Sequence, residues 1–191
     1  MTSLIPTLLE GRALDTALAD VAEDAERTLA GADGAGAVVH RGAEVLRASS
    51  DPLSATVDAA QYGLGQGPCL HAYRTGRLVL LDLGDLDRRW PLFQDAALAA
   101  GARTVLSVPL RLDDQAIGSL NLYSRARGAF GARVVRQAEL FARPCALRLA
   151  HVGVAVHAAD VAEVASLELQ DRGTIDRALG VLMGIHSDAS V

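Results

Sequence analysis

Cys69 has the most direct route to covalent chemistry in this sequence. It follows Gly67-Pro68 and is predicted to open a short helix ending at Thr75, with Gly76 as its stop. The positive end of a helix favours a thiolate, so the position suits a redox sensor or a covalent attachment point. The competing reading is a small buried residue that packs the helix onto a sheet. His71 raises the idea of a Cys/His nucleophile pair, but residues two apart on a helix point to different sides. The second cysteine, Cys145, falls on a later apolar stripe and reads as packing. There is no CxxC pair, no HExxH run and no lysine at all. Metal-ligand spacing, a disulfide framework, Schiff-base chemistry and a phosphate-loop lysine are therefore not expected. The expectation is a protein that is not an enzyme, and no motif specifies a cofactor.

A second constellation is polar rather than nucleophilic. Ser119, Asn121 and Tyr123 alternate with Gly118, Leu120 and Leu122, and Ser107 lies on the strand before them. On one face of a sheet, under a helix, these groups would make a pocket with a few placed hydrogen-bonding atoms. Trp90 and Phe93, one helical turn apart, are candidates to roof it. The plainer alternative is that the polar residues meet solvent and the aromatics are core. The candidate ligand-binding set is Ser107, Ser119, Asn121, Tyr123, Trp90, Phe93 and Cys69.

The elements that must position these residues follow from periodicity. Leu14, Leu18, Val21, Ala25 and Thr28 step by four and three, which predicts an amphipathic helix over 8–30. Residues 35–41 and 45–50 read as a hairpin turning at Arg41-Gly42. Residues 51–68 are turn-rich without a clean period. Leu78-Val79-Leu80-Leu81 suits a buried strand, and residues 90–100 suit a helix with Pro91 in its first turn and Gly101 past its end. Residues 104–110 and 116–124 read as strands joined at Asp113-Asp114. This order predicts an α+β domain built on an antiparallel sheet, not a doubly wound fold. After Gly131 a stripe of Val134, Ala138, Phe141, Cys145, Leu149, Val152, Val156 and Ala159 predicts a long helix. Pro144 removes one of its backbone hydrogen bonds and should kink it. Forty residues would extend about 60 Å, so the expectation is a stripe covered by a second copy, the alternative being two shorter helices folded back on the domain.

The chain has 191 residues, half of them hydrophobic, with a formal net charge of −5. That supports a packed core and gives no general affinity for nucleic acid or anionic membranes. Charge is unevenly placed. Residues 4–30 carry Glu10, Asp15, Asp20, Glu23, Asp24 and Glu26 against Arg12 and Arg27, whereas residues 125–148 carry Arg125, Arg127, Arg133, Arg136, Arg143 and Arg148 against Glu139. The two segments are expected to complement each other, within or between subunits. No secretory leader or membrane-spanning run is read in the sequence, so a cytoplasmic location is expected.

The runs Gly65-Gln66-Gly67-Pro68-Cys69, Thr75-Gly76, Arg89-Trp90-Pro91, Ser107-Val108-Pro109-Leu110 and Gly118-Ser119-Leu120-Asn121-Leu122-Tyr123 resemble a bacterial GAF domain over residues 10–150. They are most similar to GAF domains of actinobacterial regulators. The resemblance implies a sensor fold whose N- and C-terminal helices often form a dimer interface. Residues 167–186, from Leu167-Glu168-Leu169-Gln170-Asp171-Arg172 through Gly180-Val181-Leu182-Met183 to His186, are similar to the first helix of an ANTAR module. Such modules bind paired RNA hairpins and let transcription pass terminators, which would make Arg172 and Arg177 the RNA-contacting candidates. The resulting division is a GAF-like sensor over 1–150, a helical linker or coiled coil over 151–166 and a partial ANTAR-like segment over 167–191. Two departures bear on the output. Leu179 stands where a basic residue is usual, and the sequence reaches Val191 before the module's later helices. Segment 166–191 also sets Glu168, Asp171, Asp176 and Asp188 against two arginines, so by itself it is expected to hold RNA poorly. The alternative is a stand-alone ligand- or redox-binding module whose tail only dimerises.

Overall fold

The structure, a computed structural model, describes residues 5–84 and 89–153, with side chains from Arg12 onward. In chain order the elements are α1 (Ile5–Thr28), β1 (Gly34–Arg41), β2 (Glu44–Ser49), α2 (Pro52–Leu64), α3 (Pro68–Thr75), β3 (Val79–Asp82), α4 (Pro91–Ala99), β4 (Thr104–Leu112) and β5 (Gln115–Ser124). A further helix, α5, occupies residues 132–153. The five strands form one sheet in the order β2-β1-β5-β4-β3, and every neighbouring pair is antiparallel. The expected α+β class and strand plan hold. The last two strands, β4 and β5, sit centrally because β5 pairs on its other side with β1.

Alternation along the strands divides the molecule into two faces. Ala35, Ala37 and Val39 of β1, Leu106, Val108 and Leu110 of β4, and Leu120 and Leu122 of β5 point to one side. There they bury Leu14, Leu18, Val21 and Ala25 of α1 together with Ala138, Ala142, Ala146 and Leu149 of α5. Thr28, the last step of the α1 stripe, is exposed. Val105 and Tyr123 point the other way, into a cluster with Leu53 and Val57 of α2, Leu81 of β3, and Phe93 and Ala97 of α4.

The stripe on α5 differs from expectation. Ala138 and Leu149 are buried, and Val134, Phe141, Cys145 and Val152 pack against the chain's own core. The sheet face left open beside α1 covers this stripe, so no second copy is needed for it. What α5 leaves outward is Leu140 and Leu147, 65% and 67% exposed and seven residues apart. The stripe's later steps, Val156 and Ala159, lie outside the described residues.

The segment read as turn-rich is in fact α2. Asp51 caps it, its carboxylate accepting from the Ser54 and Leu53 amides at 2.8 and 3.0 Å, and Pro52 takes the first helical position. Gly65, in the left-handed region at φ 64, closes it. Its inward face is Leu53, Ser54, Val57, Asp58 and Gln61. The spacing is helical, but three of the five are polar, so the apolar period that betrays a helix is missing. Among the described residues no helix is long and apolar enough to cross a membrane.

Candidate functional site

Above the second sheet face, α2 and α3 enclose a row of polar side chains. Asn121 of β5 is flanked in the ladder by Gly36 of β1 and Ser107 of β4, so these three share one rung. Ser119 and Tyr123 stand two residues to either side on β5. All four polar residues are completely buried.

What faces them comes from helix α2. Asp58 Oδ1 accepts from the Tyr123 hydroxyl at 2.5 Å, from Asn121 Nδ2 at 3.0 Å and from Gln61 Nε2 at 3.4 Å. Gln61 Nε2 also donates to the Tyr123 hydroxyl at 2.9 Å, while Gln61 Oε1 accepts from the Cys69 amide at 2.8 Å. That last bond ties α2 to the first turn of α3. The approach of α2 depends on Gly36, because a Cβ there would lie 1.9 Å from Asp58 Oδ2. It also depends on Gly67, at φ 144, whose Cβ would fall 2.5 Å from Gln61 Oε1.

Cys69 is fully buried, with its thiol 3.0 Å from the Ser119 hydroxyl and 3.6 Å from that of Tyr62. The Tyr62 hydroxyl in turn lies 3.3 Å from His40 Nε2, and the His40 ring stacks on Tyr73 at 3.7 Å. The polar row is thus linked hydrogen bond by hydrogen bond to a partly exposed aromatic group at the domain edge.

Burial dominates the electrostatics. It pushes the Cys69 thiol up to about 11, with the neighbouring Asp58 adding to the rise. The helix N-terminus expected to favour a thiolate is outweighed, because a charge there would be stripped of water. Burial likewise raises Tyr62 and Tyr123. It lifts Asp58 to about 6, partly offset by the hydrogen bonds from Tyr123 and Asn121. Burial, then the Arg74 charge, lowers His40. Three buried atoms in this layer have no hydrogen-bond partner: Asp58 Oδ2, Asn121 Oδ1 and Ser107 Oγ.

Of the seven candidate ligand-binding residues, the structure brings Cys69, Ser107, Ser119, Asn121 and Tyr123 together on this face. Phe93 is buried beside Tyr123 in the apolar cluster, and Trp90 packs against that cluster. Trp90 also meets His71 edge-on at 5.5 Å, so His71 is half-buried against an aromatic ring rather than a free polar residue. Asp58, Gln61, Tyr62 and His40 were absent from the sequence-based set. A signal for the α2 trio did exist in Asp51-Pro52-Leu53-Ser54, which is a helix start. Arg172 and Arg177 lie outside the described residues. No group of three or more His, Cys, Asp or Glu side chains among the described residues is placed to hold a metal ion. A groove of about 740 Å³ lies apart from the polar row, on the other face between α5 and β3–β4, lined by Leu78, Val108, Arg111, Arg136 and Arg143.

An antiparallel sheet with a helical pair on one face and a polar row roofed by short helices on the other defines an α+β domain with one apolar and one partly polar sheet face. The GAF domain family profile matches residues 11–150, and the chain belongs to that family, whose members are sensor modules of signalling proteins. No curated protein sequence matches the chain. Solved structures share its fold. The GAF-B domain of DevS from Mycobacterium smegmatis superposes with a TM-score of 0.52 at 23% identity, over 74% of this chain and 96% of that one. The GAF domain/HD domain protein from Geobacter sulfurreducens gives 0.54 at 17%, over 74% and 94%. The type II free methionine-R-sulfoxide reductase from Thermoplasma acidophilum gives 0.55 at 14%, over 74% and 95%. At these identities the likeness is one of fold.

Proposed function

We propose that this chain is a cytoplasmic signalling regulator in which the GAF domain, residues 1–150, senses a small ligand and controls an ANTAR-like RNA-binding output over 167–191 through the helical linker 151–166. The observation that carries this reading is the division of the sheet. Its polar row faces α2 and α3, and the opposite face of the same strands carries α1 and α5, of which α5 precedes the linker in the chain. A ligand that engages Ser107, Ser119, Asn121 or Tyr123 and displaces α2 or α3 would be felt by Leu120 and Leu122 on the far side of β5. Trp90, Phe93 and Cys69 complete the proposed ligand-binding set.

The protein acts as a homodimer in this reading. The partner is met by the outer faces of α1 and α5, where Leu140, Leu147 and the arginines of α5 face the acids of α1. In this reading it is not an enzyme; the Cys69 thiol, pushed up to about 11 by burial, is a poor source of thiolate at neutral pH. The Thermoplasma reductase shares the fold; in this chain Cys69 is buried in α3, and Cys145 lies on α5 at the other sheet face. The second reading, a ligand-binding dimerisation module without nucleic-acid activity, is favoured by the four acids against two arginines in 166–191.

An RNA-hairpin binding assay on the chain separates the two. Binding that weakens steeply with salt and is lost in the Arg172→Ala/Arg177→Ala variant supports the RNA output. Absence of binding in a confirmed dimer leaves the second reading.

A further inference from the structure

Asp58 is a fully buried carboxyl group with an uneven set of partners. Oδ1 takes all three donors, from Tyr123, Asn121 and Gln61, while Oδ2 takes none and lies over the Gly36 backbone. No arginine or histidine forms an ion pair with it among the described residues. The ionisable groups facing it are Tyr123 of β5, Tyr62 of its own helix and Cys69 of α3, all held protonated by burial. Arg47 of β2 acts only through space, with its guanidinium 5.3 Å from the Tyr62 ring. A carboxylate here would leave Oδ2 bare in a medium that stabilises charge poorly, whereas a proton on Oδ2 removes the charge at the cost of one unmet hydroxyl donor and leaves Oδ1 with its three donors.

We propose that Asp58 is a proton-binding site of this sensor, neutral in one state and charged in the other, and that its ionisation is itself an input. The clause linking the proton to an output rests on the sensor reading above; proton binding does not. Loss of the proton places a single negative charge between α2 and β5. The same charge faces the first turn of α3, which Gln61 couples to α2. It therefore weakens the seat of both helices on the strand whose other face holds α1 and α5. Burial supports a titration near neutrality by lifting Asp58 to about 6.

The test is a carboxyl carbon-13 NMR titration of the full chain from about pH 4 to about pH 8, with backbone amide shifts followed in parallel. The expected result is an Asp58 midpoint more than about one unit above the ordinary aspartate value. Amides of α2, β5 and α5 should move with the same midpoint and lose that movement in Asp58→Asn. If Asp58→Asn does not fold, Tyr123→Phe serves instead. Removing the shortest donor to the carboxylate should raise the Asp58 midpoint further. A midpoint in the ordinary range, or one that Tyr123→Phe leaves unchanged, overturns the proposal. A raised midpoint with no movement in α5 overturns the proton as an input. The small-ligand reading is judged separately, by native mass spectrometry of the purified protein at fixed pH.

Discussion

At the residue scale, the molecule turns on the contact between Asp58 and Gly36. Their approach leaves no room for a side chain on the strand, so Gly36→Ala should force α2 off the sheet. The expected loss is about 1–3 kcal/mol, read as a lower urea midpoint with an unchanged slope. Pairing it with Asp58→Ala should recover part of the loss, because the clashing carboxylate is gone. The pH dependence has a definite sign. Burial lets the folded state hold the Asp58 proton up to about pH 6, whereas the unfolded chain releases it near the ordinary aspartate value of 3.8. Between those values the folded state binds more protons, so stability falls as pH rises through the window and levels off above it. A shift of this size corresponds to roughly 3 kcal/mol. Asp58→Asn should flatten that part of the profile, as measured by denaturant unfolding at several pH values. An equal slope in the variant would assign the dependence to other groups.

At the element scale, α2 is held by its ends and by hydrogen bonds more than by apolar area. Its capping box joins Asp51 to Ser54 in both directions, with the Ser54 hydroxyl 2.7 Å from Asp51 Oδ1. Asp51→Ala should cost about 1 kcal/mol and increase amide exchange in the first turn of α2 before that of the sheet. An unchanged exchange pattern would mean that the turn is held by Leu53 packing alone. Helix α5 is anchored differently. Its inner stripe lies on the sheet, and one ion pair, Arg148 to Asp20 at 2.5 Å, ties it to α1. Both partners are about half exposed, so the pair orients the helices more than it stabilises them.

At the scale of the whole molecule, the two charged segments do lie side by side on one sheet face, yet most of their charges point outward. Only Arg148 and Asp20 form an ion pair between α1 and α5 among the described residues. Arg133, Arg136 and Arg143 remain exposed on α5, as do Asp15 and Glu23 on α1. In the proposed homodimer these surfaces meet across subunits. Arg136→Glu/Arg143→Glu should weaken self-association at least about tenfold in sedimentation equilibrium, with monomer stability changed by less than about 0.5 kcal/mol. Adding Asp15→Arg/Glu23→Arg should restore association. Failure of that rescue would remove α1 as the partner of α5.

The antiparallel strands, the bounding turns and the two long helices were legible in the residues themselves, because periods of two and of 3.6 survive wherever one face is uniformly apolar. The alternation of Ser119, Asn121 and Tyr123 likewise marked a polar sheet face. Helix α2 was not legible, since Ser54, Asp58 and Gln61 turn polar groups inward where the pattern demands apolar ones. Such residues are tolerated there only because β5 and α3 bring donors to them, and those partners are remote in the chain. Tertiary structure alone also decided the fate of two features that the sequence left open. Burial cancelled the helix-end advantage of the Cys69 thiol. The apolar stripe of α5 found its cover on its own sheet, because the order β2-β1-β5-β4-β3 leaves room beside α1 that no local pattern encodes.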